Sequence, residues 1–298
     1  MLMSSDAVVF HGPEVRFYDS PKWRAARQKW VFWSQEPPPP VGSLNGVFNW
    51  TMTYRSDSDI WNPYGIIAER KTKQSYQYQQ TWKIWRRKSR MAAWAVSRCE
   101  ARSRREDYVK QLRKYVRVNV YGKCGQLKCP RANSTRCYEM FEEKYFFYLS
   151  FENSICRDYV SEKFFNVLEY DIVPVVLGGA NYTAIAPPDS FIDALSFRSP
   201  KHLAEYLKRV AGDFQLYAKY LRWKETHTLA NFPRFDALCR VCKKLHSPSF
   251  RQTTVVADMF TGGTQCRIVG LGILPTEIKF MYSHRSKKLH SSILILFS

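Results

Sequence analysis

Asn153, Tyr159, Glu162 and Lys163 are the residues whose types and spacing best suit chemistry. The last three stand at i, i+3 and i+4, so on a helix a ring, a carboxylate and an ammonium share one face. Val160, Phe164, Val167 and Leu168 take the opposite, apolar face. Asp158 is a candidate N-cap, and Glu162 falls in the first turn, where negative charge suits the helix dipole. Backbone N–H groups at such a helix start, with Lys163 beside them, can hold an anion. The chemistry implied is phosphate binding. A merely solvated charged face is the plain alternative. The Asn153-Ser154 loop ahead of the helix favours the phosphate.

Elements of a recognisable kind must position these residues. An apolar, aromatic run from Tyr145 to Leu149 precedes the loop, and a second run, Ile172 to Leu177, follows the helix and ends in Gly178-Gly179. Strand, helix, strand is a βαβ unit, and ligands of such sheets bind beyond the C-terminal strand ends. The same alternation continues on both sides. Ala92–Val96 and Val116–Tyr121 suit strands, and Arg105–Tyr115 suits a helix. Phe191-Ile192 is a short strand. Ser199 caps a helix with Pro200 at its first position, Leu203, Tyr206, Leu207 and Val210 on one face, and Gly212 at its end. A further helix covers 213–224. Residues 92–235 are therefore expected to form one Rossmann-like domain.

The N-terminal part has the same flavour with fewer elements. Val8–Phe10 and Lys29–Trp33 suit strands, and the second exits through Ser34-Gln35-Glu36 into four prolines that stop it. A carboxylate at a strand end beside a rigid turn can serve as a general base, which makes Glu36 a candidate. Val47–Tyr54 is strand-like. Asp57-Ser58-Asp59 has the form of a metal-holding pair, though in a serine-rich turn such aspartates more often close the turn. This partial domain spans 1–75. A basic, glutamine-rich stretch without clean period, 76–91, is expected as a linker, and 236–298 as a cysteine-containing segment with a poorly ordered tail.

A chain of 298 residues with 45% hydrophobic content suits one large or two ordinary domains. The net charge of +20 permits nucleic acid, anionic membrane or a nucleotide as partner. No zinc-finger, homeodomain or RNA-sheet signature accompanies the basic stretch between Arg70 and Arg117. Among eight cysteines, Cys239 and Cys242 form a C-x-x-C, but no second pair or paired histidines complete a zinc site. Sequons at Asn49, Asn133 and Asn181, with so many cysteines, favour a secretory-pathway lumen and disulfides. No signal peptide is visible, and no stretch reaches the roughly 18–20 apolar residues that span a bilayer.

The run FYLSFENSICRDYVSEKFFNVLEYDIVPVVLGG resembles the donor-binding signature of the α1,3-fucosyltransferases. NWTMTYRSDSDIWNPYG, VYGKCG, the APPDSFI-SP-LAEYL block and LYAKYLRWKE leading to LCRVCKKLH agree, in family order. The resemblance is to invertebrate, glycoprotein 3-α-L-fucosyltransferase-like members. It implies an α/β fold of the GT-B type with two Rossmann-like domains, the N-terminal one truncated in this chain. It implies inverting transfer of fucose from GDP-β-L-fucose to the 3-hydroxyl of N-acetylglucosamine in glycoprotein glycans. By the same resemblance Arg105, Asn153, Tyr159, Glu162 and Lys163 bind GDP-fucose and Glu36 is the catalytic base. GDP-fucose is a co-substrate, no cofactor is required, and a divalent metal is at most a stimulant, so Asp57 and Asp59 are assigned no metal. The implied setting is the Golgi lumen, as a type II membrane protein whose anchor is not in this sequence. Both core N-glycan and Lewis-type acceptors occur in such a family. Two other readings stand beside it: a truncated, non-catalytic GDP-binding homologue, and a basic nucleic-acid-binding protein.

Overall fold

The computed structural model describes residues 4–13, 15, 21, 23–37, 46–75, 77–129, 134–230, 236–247, 266–267 and 293–296. The chain divides into two compact units, one of residues 1–64, 232–266 and 276–298, the other of 65–231 and 267–275. No helix of the described residues is long and apolar enough to cross a membrane.

In the first unit, β1 (Ala7–His11), β2 (Lys29–Ser34), β3 (Trp50–Thr53) and β4 (Ile60–Trp61) form a parallel sheet in that order. The strand Ile293–Leu296 adds to the free edge of β1, antiparallel. It lies in the segment expected to be poorly ordered, so that expectation fails for these four residues. Residues 248–265, 268–292 and 297–298 of the same expectation lie outside the described residues. β1 reads as an unbroken apolar run because both of its faces are covered. Val8 and Phe10 pack with Trp30, Phe32 and Phe48. Ala7 and Val9 pack with Val31, Trp50 and Met52, and with Ala237 and Val241 from the helix Asp236–Leu245.

The second unit carries β5 (Ile67–Glu69), α1 (Tyr78–Arg87), β6 (Arg90–Ala95), α2 (Arg105–Leu112) and β7 (Val118–Tyr121). Then follow α3 (Ser134–Lys144), β8 (Tyr145–Phe151), β9 (Ile155–Cys156), α4 (Glu162–Leu168), β10 (Val173–Leu177) and α5 (Tyr182–Ile185). It ends with β11 (Ile192–Asp193), α6 (Pro200–Gly212), α7 (Phe214–Lys219) and β12 (His227–Leu229). The stretch expected as a linker, 76–91, therefore holds a helix. Its apolar stripe is Tyr78, Trp82 and Trp85, at i, i+4 and i+7, and all three rings pack against Phe214.

The main sheet is parallel throughout, in the order β11-β10-β8-β6-β7. From β6 the chain steps outward to β7, then returns across β6 to β8 and proceeds the other way. The direction of winding thus reverses between β6 and β8, and a crevice opens at such a switch point beyond the strand ends. Phe147, Leu149 and Phe151 project to one side, where Tyr108 and Leu112 of α2 and Leu203, Leu207 and Val210 of α6 cover them. Tyr148 projects to the other, against Phe141 of α3 and Val167 of α4. Both faces being covered explains the continuous aromatic run. β8, α4 and β10 are the βαβ unit that the sequence indicates.

Candidate functional site

Glu152 and Asn153 follow the C-terminal end of β8, at the switch point. Glu152 is fully buried. Its carboxylate accepts from the Ser161 backbone N–H at 2.8 Å, and the Ser161 hydroxyl lies 2.8 and 2.9 Å from its two oxygens. The Lys163 ammonium stands 3.2 Å away. Burial raises the Glu152 pKa, while Lys163 and the Ser161 hydrogen bonds pull it down, with a net upward shift. For Lys163 burial pushes downward, but Glu152 and Glu162 outweigh it and its pKa is raised. Both partners thus shift upward: the ion pair outweighs burial for the lysine, which keeps some solvent, and not for the fully enclosed glutamate.

The start of α4 differs from the sequence expectation. Ser161, not Asp158, is the N-cap, accepting from the Lys163 backbone N–H. Asp158 instead takes a left-handed backbone, φ 60°, three residues before the cap. Tyr159 consequently precedes the helix and is buried, at 1% exposure, instead of sharing an open face with Glu162 and Lys163. Ser161 is committed to the cap because the same hydroxyl also serves Glu152, a residue nine positions upstream that helix propensity does not see. Lys163 Nζ donates to Ser161 Oγ at 2.7 Å and to Glu162 at 3.2 Å. Glu162 itself is exposed.

Arg105, the first residue of α2, bridges the two strand ends that flank the switch. One guanidinium nitrogen donates to the Phe151 carbonyl at 2.6 Å, at the end of β8, and another to the Arg98 carbonyl at 3.3 Å, beyond β6. The group lies 5.6 Å above the Trp94 ring and 3.3 Å from Glu106. It is close enough to Lys163 to lower that lysine's pKa by repulsion, so the two cations share one neighbourhood. Ser103 ties the loop down, its hydroxyl donating to the Glu152 carbonyl at 2.7 Å and its N–H to the Asn153 carbonyl at 3.1 Å.

Three buried polar atoms here have no hydrogen-bond partner among the described residues: Asn153 Oδ1, Ser150 Oγ and Tyr182 OH. A buried unpaired polar atom costs about 1–3 kcal/mol, so such a group at a strand end is apt for a ligand. The Gly178-Gly179 pair that closes β10 is needed for close approach. A Cβ at Gly178 would meet the Tyr182 hydroxyl at 2.3 Å, and one at Gly179 the Cys156 backbone at 2.7–2.9 Å. Two cations, an unpartnered amide and a tight turn at a switch point can hold a diphosphate. Glu152, Ser161 and Ser103 escape a reading of the sequence. The one signal for Glu152 is a carboxylate directly after a buried strand.

Glu36 belongs to the other unit. It follows β2, is exposed, and its carbonyl accepts from Ser34 Oγ at 2.9 Å. Asp57 pairs with Arg55, its Oδ1 2.7 Å from Nε. Asp59 accepts from the Thr51 N–H and hydroxyl at 3.0 and 3.1 Å. The two aspartates thus hold the turn from opposite sides. Of the sequons, Asn181 is exposed and Asn133 lies outside the described residues. Asn49 is corrected: it is buried at 2% exposure, its side-chain oxygen accepting from the Trp30 N–H at 2.8 Å and from Arg24, which leaves no room for a glycan. Disulfides join Cys99 to Cys124 and Cys129 to Cys137, and Cys156 and Cys266 are disulfide-bonded as well. Cys239 and Cys242 are free thiols.

Comparison with known proteins bears on both units. The family model for the C-terminal part of glycosyltransferase family 10 (fucosyltransferase) matches residues 85–260, and the fucosyltransferase N-terminal model matches residues 1–65. Alpha-(1,3)-fucosyltransferase C of Drosophila melanogaster is 40% identical over 84% of this chain and 63% of its own length. Glycoprotein 3-alpha-L-fucosyltransferase A of the same species is 43% identical over 67% of this chain and 40% of its own. The chain thus spans less than two thirds of either relative. A human 4-galactosyl-N-acetylglucosaminide 3-alpha-L-fucosyltransferase is 37% identical over 86% of this chain and 72% of its own. A crystal structure of an alpha1,3-fucosyltransferase with GDP-fucose superposes with a TM-score of 0.54 at 16% identity, covering 77% of this chain and 78% of that one. At that identity the likeness concerns the fold: two α/β units built on parallel sheets, the GT-B type.

Proposed function

The chain belongs to glycosyltransferase family 10, the fucosyltransferases, and from that membership we propose that it transfers fucose from GDP-β-L-fucose to the 3-hydroxyl of N-acetylglucosamine in glycoprotein glycans, inverting the anomeric centre. The observation that carries this reading is the grouping of Arg105, Lys163 and the unpartnered Asn153 amide oxygen at the β6–β8 switch point.

The acceptor hydroxyl attacks C1 of fucose, the C1–O bond to the diphosphate breaks, and the hydroxyl proton leaves with a base. Positive charge fixed where the diphosphate gains negative charge lowers the barrier, because it needs no reorganisation during the reaction. Lys163 and Arg105 supply that charge in this reading. Arg105 is held by two carbonyls and Lys163 by Ser161 and two carboxylates, so both are oriented before the donor arrives. Asn153 contacts the phosphates, Glu162 positions the nucleoside or fucose, and buried Tyr159 shapes the crevice from within the core. Glu36, exposed at its strand end, takes the proton. With two cations on the diphosphate, no metal is required. The disulfides fit the Golgi lumen as the site of action.

Incubation with GDP-fucose and two acceptors, a core N-glycan and an N-acetyllactosamine glycan, should give an α1,3-fucosylated product. Glu36→Gln should lower transfer by about 10²–10⁴-fold, the usual worth of a general base, while GDP affinity stays within about twofold. Joint loss of both would assign Glu36 to folding. GDP binding without transfer in the unaltered chain would make it a non-catalytic homologue.

A further inference from the structure

A second group of cations lies along β7, the edge strand of the second unit's main sheet. A groove of 970 Å³ runs beside it, lined by residues 113–120 and 123–127. A smaller cavity of 390 Å³ shares Arg113, Lys114, Val120 and Cys124 with that groove and adds Lys110 of α2. Lys110, Arg113, Lys114, Arg117 and Lys123 are all exposed, and none of the five makes an ion pair among the described residues. The one acidic side chain in either lining, Glu106, is engaged by Arg105 at 3.3 Å and faces the Ala101 N–H at 3.4 Å. The dipole at the end of α2 accounts for cations at Lys110 and Arg113. It does not account for Arg117, ahead of β7, or Lys123, beyond it. Gathered like charges repel and gain from an anionic partner.

We propose that this groove binds a sulfated oligosaccharide chain. The cations are spread rather than gathered at one point: β7 alone spans roughly 13 Å, with Arg117 ahead of it and Lys123 beyond it. A single phosphate cannot reach them all, whereas a chain bearing several sulfates can. The groove is concave, which suits a linear polymer better than the plane of a bilayer. Tyr115, 41% exposed, lines it and offers a ring face to a sugar. Cys124, in the wall of both cavities, is disulfide-bonded to Cys99, which places this surface in an oxidising compartment apart from nucleic acid.

The test is calorimetry of the whole chain with a heparin hexasaccharide at about 0.15 M salt, an ionic strength at which diffuse long-range attraction is screened. Binding should be measurable, and should vanish with the desulfated hexasaccharide. Arg113→Glu with Arg117→Glu should weaken it at least tenfold while the melting temperature falls by no more than about 4 °C, since both side chains are exposed and only Arg113 gives up a helix-dipole contribution. Lys83→Glu with Arg87→Glu, an equal charge change on α1, should alter it less than twofold. Equal loss in both double variants would reduce the effect to net charge and overturn the proposal. So would absence of hexasaccharide binding, or preference for phosphatidylserine vesicles or a single-stranded oligonucleotide over the hexasaccharide.

Discussion

The switch-point crevice and the β7 groove both collect positive charge, but by opposite means. In the crevice Arg105 and Lys163 are mostly withdrawn from water and fully engaged, by carbonyls, a serine and carboxylates. Along β7 the cations are exposed and make no ion pair among the described residues. A buried charge must be satisfied from several sides, so its position is fixed and its removal disturbs its neighbours. An exposed charge is free to move, attracts broadly, and its removal disturbs little. The first arrangement suits reaction at one bond, the second suits retention of a variable polymer.

The sharpest way to break this contrast is Lys163→Met, which leaves the fully buried Glu152 without its counter-charge. Urea denaturation should show a loss of about 3–5 kcal/mol, the cost of orphaning one member of a buried pair. Adding Glu152→Gln should recover a large part of it, and no recovery would show that the two residues are not coupled. A second buried cation tests the same logic through pH. Burial lowers the Lys88 pKa to about 7, with Glu142 and Asp171 opposing. Its ammonium donates to the Tyr145 carbonyl at 3.0 Å and to that of Glu142. Between about pH 7 and 10.5 the unfolded chain holds this proton and the folded chain does not, so stability from this group rises with pH across that window. The slope is at most about 1.4 kcal/mol per pH unit. Lys88→Met should flatten it, as measured by denaturation at pH 7, 8.5 and 10. The smallest effect belongs to the groove: Arg117→Gln should change stability by less than about 0.5 kcal/mol. A loss above 1 kcal/mol by the same denaturation would mean that this arginine is built in, and the contrast would blur.

The βαβ unit was legible because strands buried on both faces leave continuous apolar runs, Tyr145–Phe151 and Val173–Leu177. Ser199 and Pro200 likewise marked the start of α6, where the Ser199 hydroxyl caps the His202 N–H. The start of α4 was not legible. Asp158 and Ser161 are both good caps locally, and the choice is made by Glu152, through a bond that sequence spacing does not encode. Asn49 looked like a glycan acceptor because a sequon is a local pattern, while its burial depends on Trp30 and Arg24 arriving from elsewhere. α1 was missed although its stripe is in the sequence: Tyr78, Trp82 and Trp85 fall at i, i+4 and i+7 and meet Phe214, but the stripe is short and set among Gln, Lys and Arg.

The two units also differ in how the chain supplies them. Residues 65–231, the bulk of the second unit, are continuous, whereas the first unit draws a sheet-covering helix from Asp236–Leu245 and an edge strand from Ile293–Leu296. During synthesis the second unit can therefore close first although it emerges later. The apolar strands β1 to β3 must wait for roughly 190 or more further residues, on the order of 10–40 s at ribosomal speed. Over that interval they are a natural client surface for chaperones.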